Sequence, residues 1–252
     1  GTDLMSLTDD EMLKARLSII SYIPQGAMNS LNPVTRIGAQ MVDAIKAHDS
    51  TASKSEMEER GRQALESVDL DRSVFNMYAH ELRGGMKQRV CTAIGILLGP
   101  KVIVADEPTS ALDVVTQRQV METIDKIRIQ LGAAVILIGH DMGLMAQFVD
   151  KVAVLYAGQI MELSTVNEMF TDALHPYAQA LFSAVPIPNP KKERERHRTI
   201  LEGDVPNPAN PPRGCNFNTR CPVAIDICRE VDPEFVEVGP DHFCACHLVT
   251  PE

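Results

Sequence analysis

The sequence predicts an α/β fold: a parallel-sheet core, an inserted helical region and a small cysteine-rich module at the C-terminal end. Three observations carry this prediction. Short apolar runs alternate with longer helical stretches from Ile19 to about Ala184, the composition is that of a folded chain, and five of the six cysteines crowd together after Gly214.

The chain has 252 residues, 44% hydrophobic and 23% charged, which is near the average for globular proteins and excludes wholesale disorder. Its formal net charge of −10 excludes a nucleic-acid binder that works through bulk charge, because neutralising phosphates needs a basic surface. Only a local patch could hold phosphate. No run of 18 apolar residues occurs, and the first thirty residues lack a basic, apolar and small-residue cleavage pattern. The expectation is a chain with neither membrane span nor signal peptide, with the cytoplasm as its compartment.

Taken in order, residues 36–47 and 54–68 repeat apolar side chains at helical spacing: Ile37, Met41, Ala44 and Ile45, then Met57, Ala64, Leu65 and Val68. They predict an all-helical subdomain at about 34–98. Residues 102–105, 134–138 and 151–156 are near-continuous apolar runs of the kind buried on both faces of a parallel sheet. Residues 115–131 and 142–148 read as helices between them, so the connections should be right-handed crossovers. These segments make one domain over 1–184. Pro186, Pro188 and Pro190, a basic run from Lys191 to Arg198, and then Pro206, Pro208, Pro211 and Pro212 mark 185–214 as a linker. Residues 215–252 form the cysteine-rich module.

The segment Lys101-Val-Ile-Val-Ala-Asp-Glu-Pro-Thr-Ser-Ala-Leu-Asp113 is the most informative in the chain. A buried strand that ends in two carboxylates sets Asp106 and Glu107 at its C-terminal edge, where ligands of open α/β sheets bind. Asp106 would hold Mg²⁺ and Glu107 would polarise a water. Helix capping accounts for one polar residue here, but not for adjacent carboxylates after four apolar residues. The spacing of Cys215, Cys221, Cys228 and Cys246 is C-x5-C-x6-C-x17-C. Four thiols on a short, proline-flanked segment suit a metal or cluster that replaces a core, with disulfides or ordinary packing as the plainer alternatives. Cys244 is an extra thiol, and Cys91, on an apolar helix position, reads as core packing.

These motifs resemble those of the ATP-binding-cassette (ABC) ATPases. Asp106-Glu-Pro-Thr-Ser-Ala-Leu-Asp113 is similar to the Walker B motif and D-loop, the latter ending at Asp113. Leu82-Arg-Gly-Gly-Met-Lys-Gln-Arg89 resembles the signature sequence, with Arg83, Gly84, Gly85 and Gln88 as residues presented to a partner's nucleotide. Gln25 resembles the Q-loop glutamine and His140 the switch histidine. Ser30-Leu-Asn-Pro33, His175-Pro-Tyr-Ala-Gln-Ala-Leu181 and the cysteine tail resemble the ATPase subunits of dipeptide, oligopeptide and nickel importers.

The resemblance implies a P-loop-type cassette fold and an ATP-binding subunit that couples Mg²⁺-dependent hydrolysis to uptake of peptides or a related solute such as nickel. It implies a second ATPase subunit, two membrane permeases and an extracytoplasmic binding protein as partners, and a place at the cytoplasmic face of the membrane. Glu107, His140 and Gln25 would be catalytic, while Asp106 and Gln25 would hold Mg-ATP. The four cysteines would hold a [4Fe–4S] cluster, with zinc as the alternative. Two departures from the pattern stand out. Arg83 occupies the place of a serine that caps the signature helix, and no G-x-x-x-x-G-K-[ST] occurs. The first residues resemble the stretch that follows that loop, so the sequence reads as truncated and the chain alone as unable to bind ATP tightly. A catalytically silent subunit and an ABC ATPase of DNA repair or translation are the rival readings.

Overall fold

The computed structural model describes residues 3–26, 30–110, 112–186, 189–195, 198–207 and 209–249. Two compact units divide at Asp141/Met142.

In the first unit, Thr8 caps α1 (Asp9–Ala15) through a reciprocal capping box with Glu11. Strand β1 (Ile20–Ile23) follows, then the helical layer: α2 (Ile37–Lys46), α3 (Lys54–Ser67), a 3₁₀ turn at Arg72–Asn76, and α4 (Gly84–Ile96). Ser53 and Glu56 make the capping box that starts α3. Phe75 fills the space between α2 and α3. A β-carbon on Gly38 would lie 2.2 Å from its ring and one on Gly61 2.7 Å, so both helices need glycine where the ring sits. Strand β2 (Val102–Asp106), helix α5 (Val114–Leu131) and strand β3 (Ala134–Ile138) complete the unit, and Gly132 at φ +61° ends α5 in the left-handed region. The sheet runs β1-β2-β3 with both pairs parallel, as the crossover reading requires. Its core joins Ile23, Ile103 and Ala105 of the sheet to Val90 and Ala93 of α4 and to Val120, Ile124 and Ile127 of α5.

In the second unit, helix α6 (Met142–Met145) is shorter than the predicted 142–148. The run at 151–156 is a strand of the second unit. As β4 (Lys151–Tyr156) it pairs antiparallel with β5 (Gln159–Thr165) through the two-residue turn Ala157-Gly158. Both turn residues have positive φ, +46° and +86°, the conformation that matches the twist of a tight hairpin. Apolar character alone does not separate a parallel strand from one covered on a single face, and that ambiguity explains the difference. Helices α7 (Val166–Thr171) and α8 (Pro176–Ser183) pack on this hairpin through Val154, Met169, Ala178 and Phe182.

A short helix, α9 (Pro190–Glu195), lies in the proline-rich stretch expected to be a linker. Beyond it, β6 (Val236–Gly239) and β7 (His242–Cys244) extend the hairpin into a four-stranded sheet of order β4-β5-β7-β6. The cysteine-rich segment therefore shares a sheet with residues 159–165, and the units divide well before residue 184. Phe217, fully buried against Tyr156, Tyr177 and His175, adds an aromatic anchor between that segment and the hairpin. Among the described residues, no helix is long and apolar enough to cross a membrane.

Candidate active site

The parallel register determines which side chains meet at the C-terminal edge of the first sheet. Ile23 pairs with Ala105, so Gln25 and Glu107, each two residues further on, leave the sheet together. Asp106 pairs with Ile138, which sets His140 just past the same edge.

Gln25 Nε2 donates to Glu107 Oε2 at 2.7 Å, and His140 Nδ1 lies 3.1 Å from Glu107 Oε1. Two residues singled out in the sequence thus converge on the carboxylate of a third, with each oxygen engaged by a residue that follows a different strand. The His140 side chain is 79% exposed and that of Glu107 25%, so the carboxylate sits below an accessible imidazole. Glu107 also has a left-handed backbone, at φ +43°. That conformation costs a non-glycine residue about 1–2 kcal/mol. It is held from both sides: the Glu107 N–H donates to Ile138 O at 2.9 Å, and its carbonyl accepts from Ser110 N at 3.1 Å. Strain fixed in this way is a feature of functional positions.

Asp106 accepts a 2.7 Å hydrogen bond from the phenol of Tyr22, and this donation raises the Tyr22 pKa. Tyr22 escaped the motif reading. Its one signal is that an aromatic with a polar tip stands between buried Ser21 and Ile23, on the exposed side of β1. Asp106, Glu107 and the Gln25 amide offer hard oxygen donors, the chemistry that suits Mg²⁺. A Mg²⁺ that is bound with a nucleotide needs only one or two protein carboxylates. Among the described residues, no group of three or more His, Cys, Asp or Glu side chains forms a metal site by itself.

Arg83 is the N-cap of α4, makes no side-chain capping bond, and has no acidic residue after it in the first turn. The backbone amides that open this helix, from Gly84 and Gly85 onward, therefore gain nothing from its side chain. Gln88 lies under the helix, 4% exposed, and its Nε2 has no hydrogen-bond partner among the described residues. A β-carbon on Gly85 would come within 2.7 Å of Thr116 Cγ2, so the glycine lets α4 and the start of α5 touch. Asp113 caps α5, accepting from the N–H groups of Val115 at 3.1 Å and Thr116 at 3.0 Å. With the Thr116 hydroxyl bond foremost, these contacts lower the Asp113 pKa. Ala111 of the same loop is outside the described residues.

In the second unit, Cys215 N–H donates to Cys228 O at 2.9 Å. Gly214, at φ +75°, makes this approach possible, since a β-carbon there would lie 2.5 Å from the same oxygen. Burial pushes the Cys215 thiol up to about 11 and raises Cys221 and Cys246 as well. Cys215 is close enough to interact electrostatically with Cys228, Cys246 and Cys221, and Cys246 with Cys228. The four cysteines singled out by spacing are therefore neighbours, and all are thiols, not disulfides. They do not form an ion-holding group as they stand. Cys244 is fully buried and its pKa is raised by desolvation, then by Glu162 and Cys246.

Glu162 is the second residue that the motif reading missed. Fully buried on β5, it accepts from the N–H groups of Leu174 at 2.9 Å and His175 at 2.8 Å, and its Oε1 lies 2.8 Å from His242 Nε2. Its signal in the sequence is a lone carboxylate inside an apolar strand.

Comparison with known proteins shows what the chain is similar to. Residues 2–110 match the ABC transporter family, and residues 161–228 match the oligopeptide/dipeptide transporter C-terminal region. The chain is 43% identical over 246 residues to a Brucella ovis ATP-binding protein named for peptide import, covering 98% of this chain and 76% of that one. It is 38% identical over 248 residues to the oligopeptide transport ATP-binding protein AppF of Bacillus subtilis, covering 98% and 75%. Among solved structures, the dimeric ATP-binding cassette MJ0796 bound to ADP and Pi is similar with a TM-score of 0.56 at 26% identity, over 64% of this chain and 68% of that one.

Proposed function

The chain belongs to the ATP-binding-cassette ATPases of the oligopeptide/dipeptide importer family, and from that premise we propose that Gln25, Asp106, Glu107 and His140 form its hydrolytic edge. It is the ATP-binding subunit of an importer. It works with a second ATPase subunit and two membrane permeases at the cytoplasmic face of the membrane, and takes up peptides delivered by an extracytoplasmic binding protein. The names of its relatives support the cargo class, and the match to the oligopeptide/dipeptide C-terminal region argues against a role in DNA repair or translation.

The reaction is attack of water on the γ-phosphorus of ATP. A phosphorus–oxygen bond to water forms as the bond to ADP breaks, and phosphate leaves with ADP. Phosphoryl transfer needs positioning and charge neutralisation more than covalent help. Glu107 orients the water and takes its proton. Gln25 and His140, one on each carboxylate oxygen, stop Glu107 from rotating. Asp106 and Gln25 would hold the Mg²⁺ that accompanies the nucleotide, which would neutralise phosphate charge. In the assembled pair, Arg83, Gly84 and Gly85 at the mouth of α4 face the partner's nucleotide, and Asp113 holds the adjoining loop by capping α5. Gln88, expected beside them from the resemblance, is buried in this chain.

The observation that carries this reading is the convergence of Gln25 and His140 on Glu107. Its test is reconstitution with the partner ATPase and permeases in vesicles. Uptake of labelled oligopeptide that requires ATP and binding protein supports it, while ATP-independent uptake, or none under conditions where the complex assembles, contradicts it.

The second part of the proposal is that Cys215, Cys221, Cys228 and Cys246 bind a [4Fe–4S] cluster, with zinc as the alternative. Their spacing and their closeness support it. As thiols, with Cys215 and Cys228 buried and Cys221 and Cys246 partly so, they would have to close up and deprotonate to bind either one.

A further inference from the structure

Tyr22 makes a contact for which the motifs around it do not account. Its hydroxyl donates to Asp106 Oδ2 at 2.7 Å, and among the described residues Oδ1 of the same carboxylate has no hydrogen-bond partner. The register explains the reach. Tyr22 pairs with Val104, and Asp106 stands two residues beyond on the same face of β2, so the length of a phenol spans the gap. Packing does not explain the residue. Tyr22 is 57% exposed, while its neighbours Ser21 and Ile23 are 1% exposed. An exposed aromatic in mid-strand whose polar tip ends on a neighbouring strand's carboxylate is placed by the hydrogen bond, not by burial.

We propose that Tyr22 is a positioning residue for the Mg²⁺-binding carboxylate: by holding Oδ2 it fixes the rotation of Asp106 and leaves Oδ1 as the oxygen offered to the metal. The terminal torsion of an aspartate is broad and roughly two-fold, so an unheld carboxylate samples orientations that present either oxygen or neither. A donor on one oxygen removes that freedom before the nucleotide arrives. Outer-shell partners of metal ligands typically contribute about 10–100-fold to metal affinity. An exposed phenol belongs at the lower end of that range. The proposal rests on the reading of Asp106 as the residue that holds the nucleotide's metal.

The test is Tyr22→Phe in the complete ATPase assembled with its partner subunit and permeases. Mn²⁺ binding would be titrated by electron paramagnetic resonance with a non-hydrolysable ATP analogue present, alongside nucleotide affinity in EDTA and the thermal midpoint. The expected result is a rise of about tenfold in the Mn²⁺ dissociation constant, with metal-free nucleotide affinity and thermal midpoint unchanged. The Mg²⁺ concentration for half-maximal hydrolysis should rise in parallel, while the rate at saturating Mg²⁺ recovers. An unchanged Mn²⁺ constant, or an equal loss of metal-free nucleotide binding, overturns the proposal. A wild-type complex that binds the analogue but recruits no Mn²⁺, with Asp106→Asn making no difference, overturns the underlying reading of Asp106.

Discussion

His242 Nε2 lies 2.8 Å from Glu162 Oε1 inside the second unit, with the histidine side chain 9% exposed and the glutamate fully buried. The contact ties β7 to β5. The same carboxylate accepts the N–H groups of Leu174 and His175 ahead of α8, so one side chain fastens three segments. Removing a buried acceptor so that its donors are left unsatisfied typically costs about 1–3 kcal/mol. Glu162→Ala is therefore expected to lower the thermal midpoint and open the segment beyond residue 200 to limited proteolysis. An unaltered cleavage pattern would show that the aromatic packing around Phe217 alone holds that segment.

His175 gives the second unit a defined pH dependence. Its Nδ1 accepts from Tyr177 N at 3.0 Å to cap α8, a role that only the neutral ring can fill, and burial pushes its pKa down to about 4. Since the unfolded residue titrates near 6.5, the unfolded state binds more protons between pH 6.5 and 4. Stability is full above that window and falls through it, by up to about 3 kcal/mol. Asparagine caps helices without titrating. Denaturant midpoints at pH 7.5 and 5 should therefore differ less for His175→Asn than for wild type. Equal differences would contradict the assignment.

Strands β2 and β3 were legible in the sequence because their signals are local: apolar runs, the first ending in two carboxylates. Strand β1 was not picked out, and Gln25 and His140 were found by their resemblance to family motifs. The antiparallel role of residues 151–156 was not legible, because apolar content does not specify the partner strand. The distinction lies in Ala157-Gly158, whose positive φ values make a hairpin, and an alanine there gives little warning of one. Tyr22 and Glu162 were hidden for a different reason: each acts across strands, and sequence spacing does not encode a register. The join between β5 and β7 is likewise a contact between residues about 80 apart.

Arg83 caps its helix with no side-chain bond, whereas serine at that position accepts a helix N–H. Arg83→Ser should stabilise the protein by about 1 kcal/mol, read as a higher thermal midpoint. In the assembled importer, the reversion should raise ATP hydrolysis or leave it unchanged. A large loss of hydrolysis would mean that the arginine stabilises developing charge on the partner's nucleotide.

Anaerobically purified protein should be brown with about four irons per chain if the four thiols hold a [4Fe–4S] cluster, or colourless with one zinc if they form a Cys₄ zinc site. Cys221→Ser should lose the metal, while ATP hydrolysis falls only modestly. Metal-free protein with a protease-resistant C-terminal segment would instead leave Phe217 and the Glu162–His242 contact as what holds the segment together.

Glu107, held by Gln25 and His140, is proposed as the general base of ATP hydrolysis. The most direct measurement is single-turnover hydrolysis by the assembled importer carrying Glu107→Gln, with nucleotide binding measured on the same samples. Glutamine keeps the shape and one acceptor but takes no proton. Turnover should fall by about 10²–10⁴-fold, with ATP bound as tightly as in wild type and retained unhydrolysed. Turnover near the wild-type rate with intact binding would contradict it.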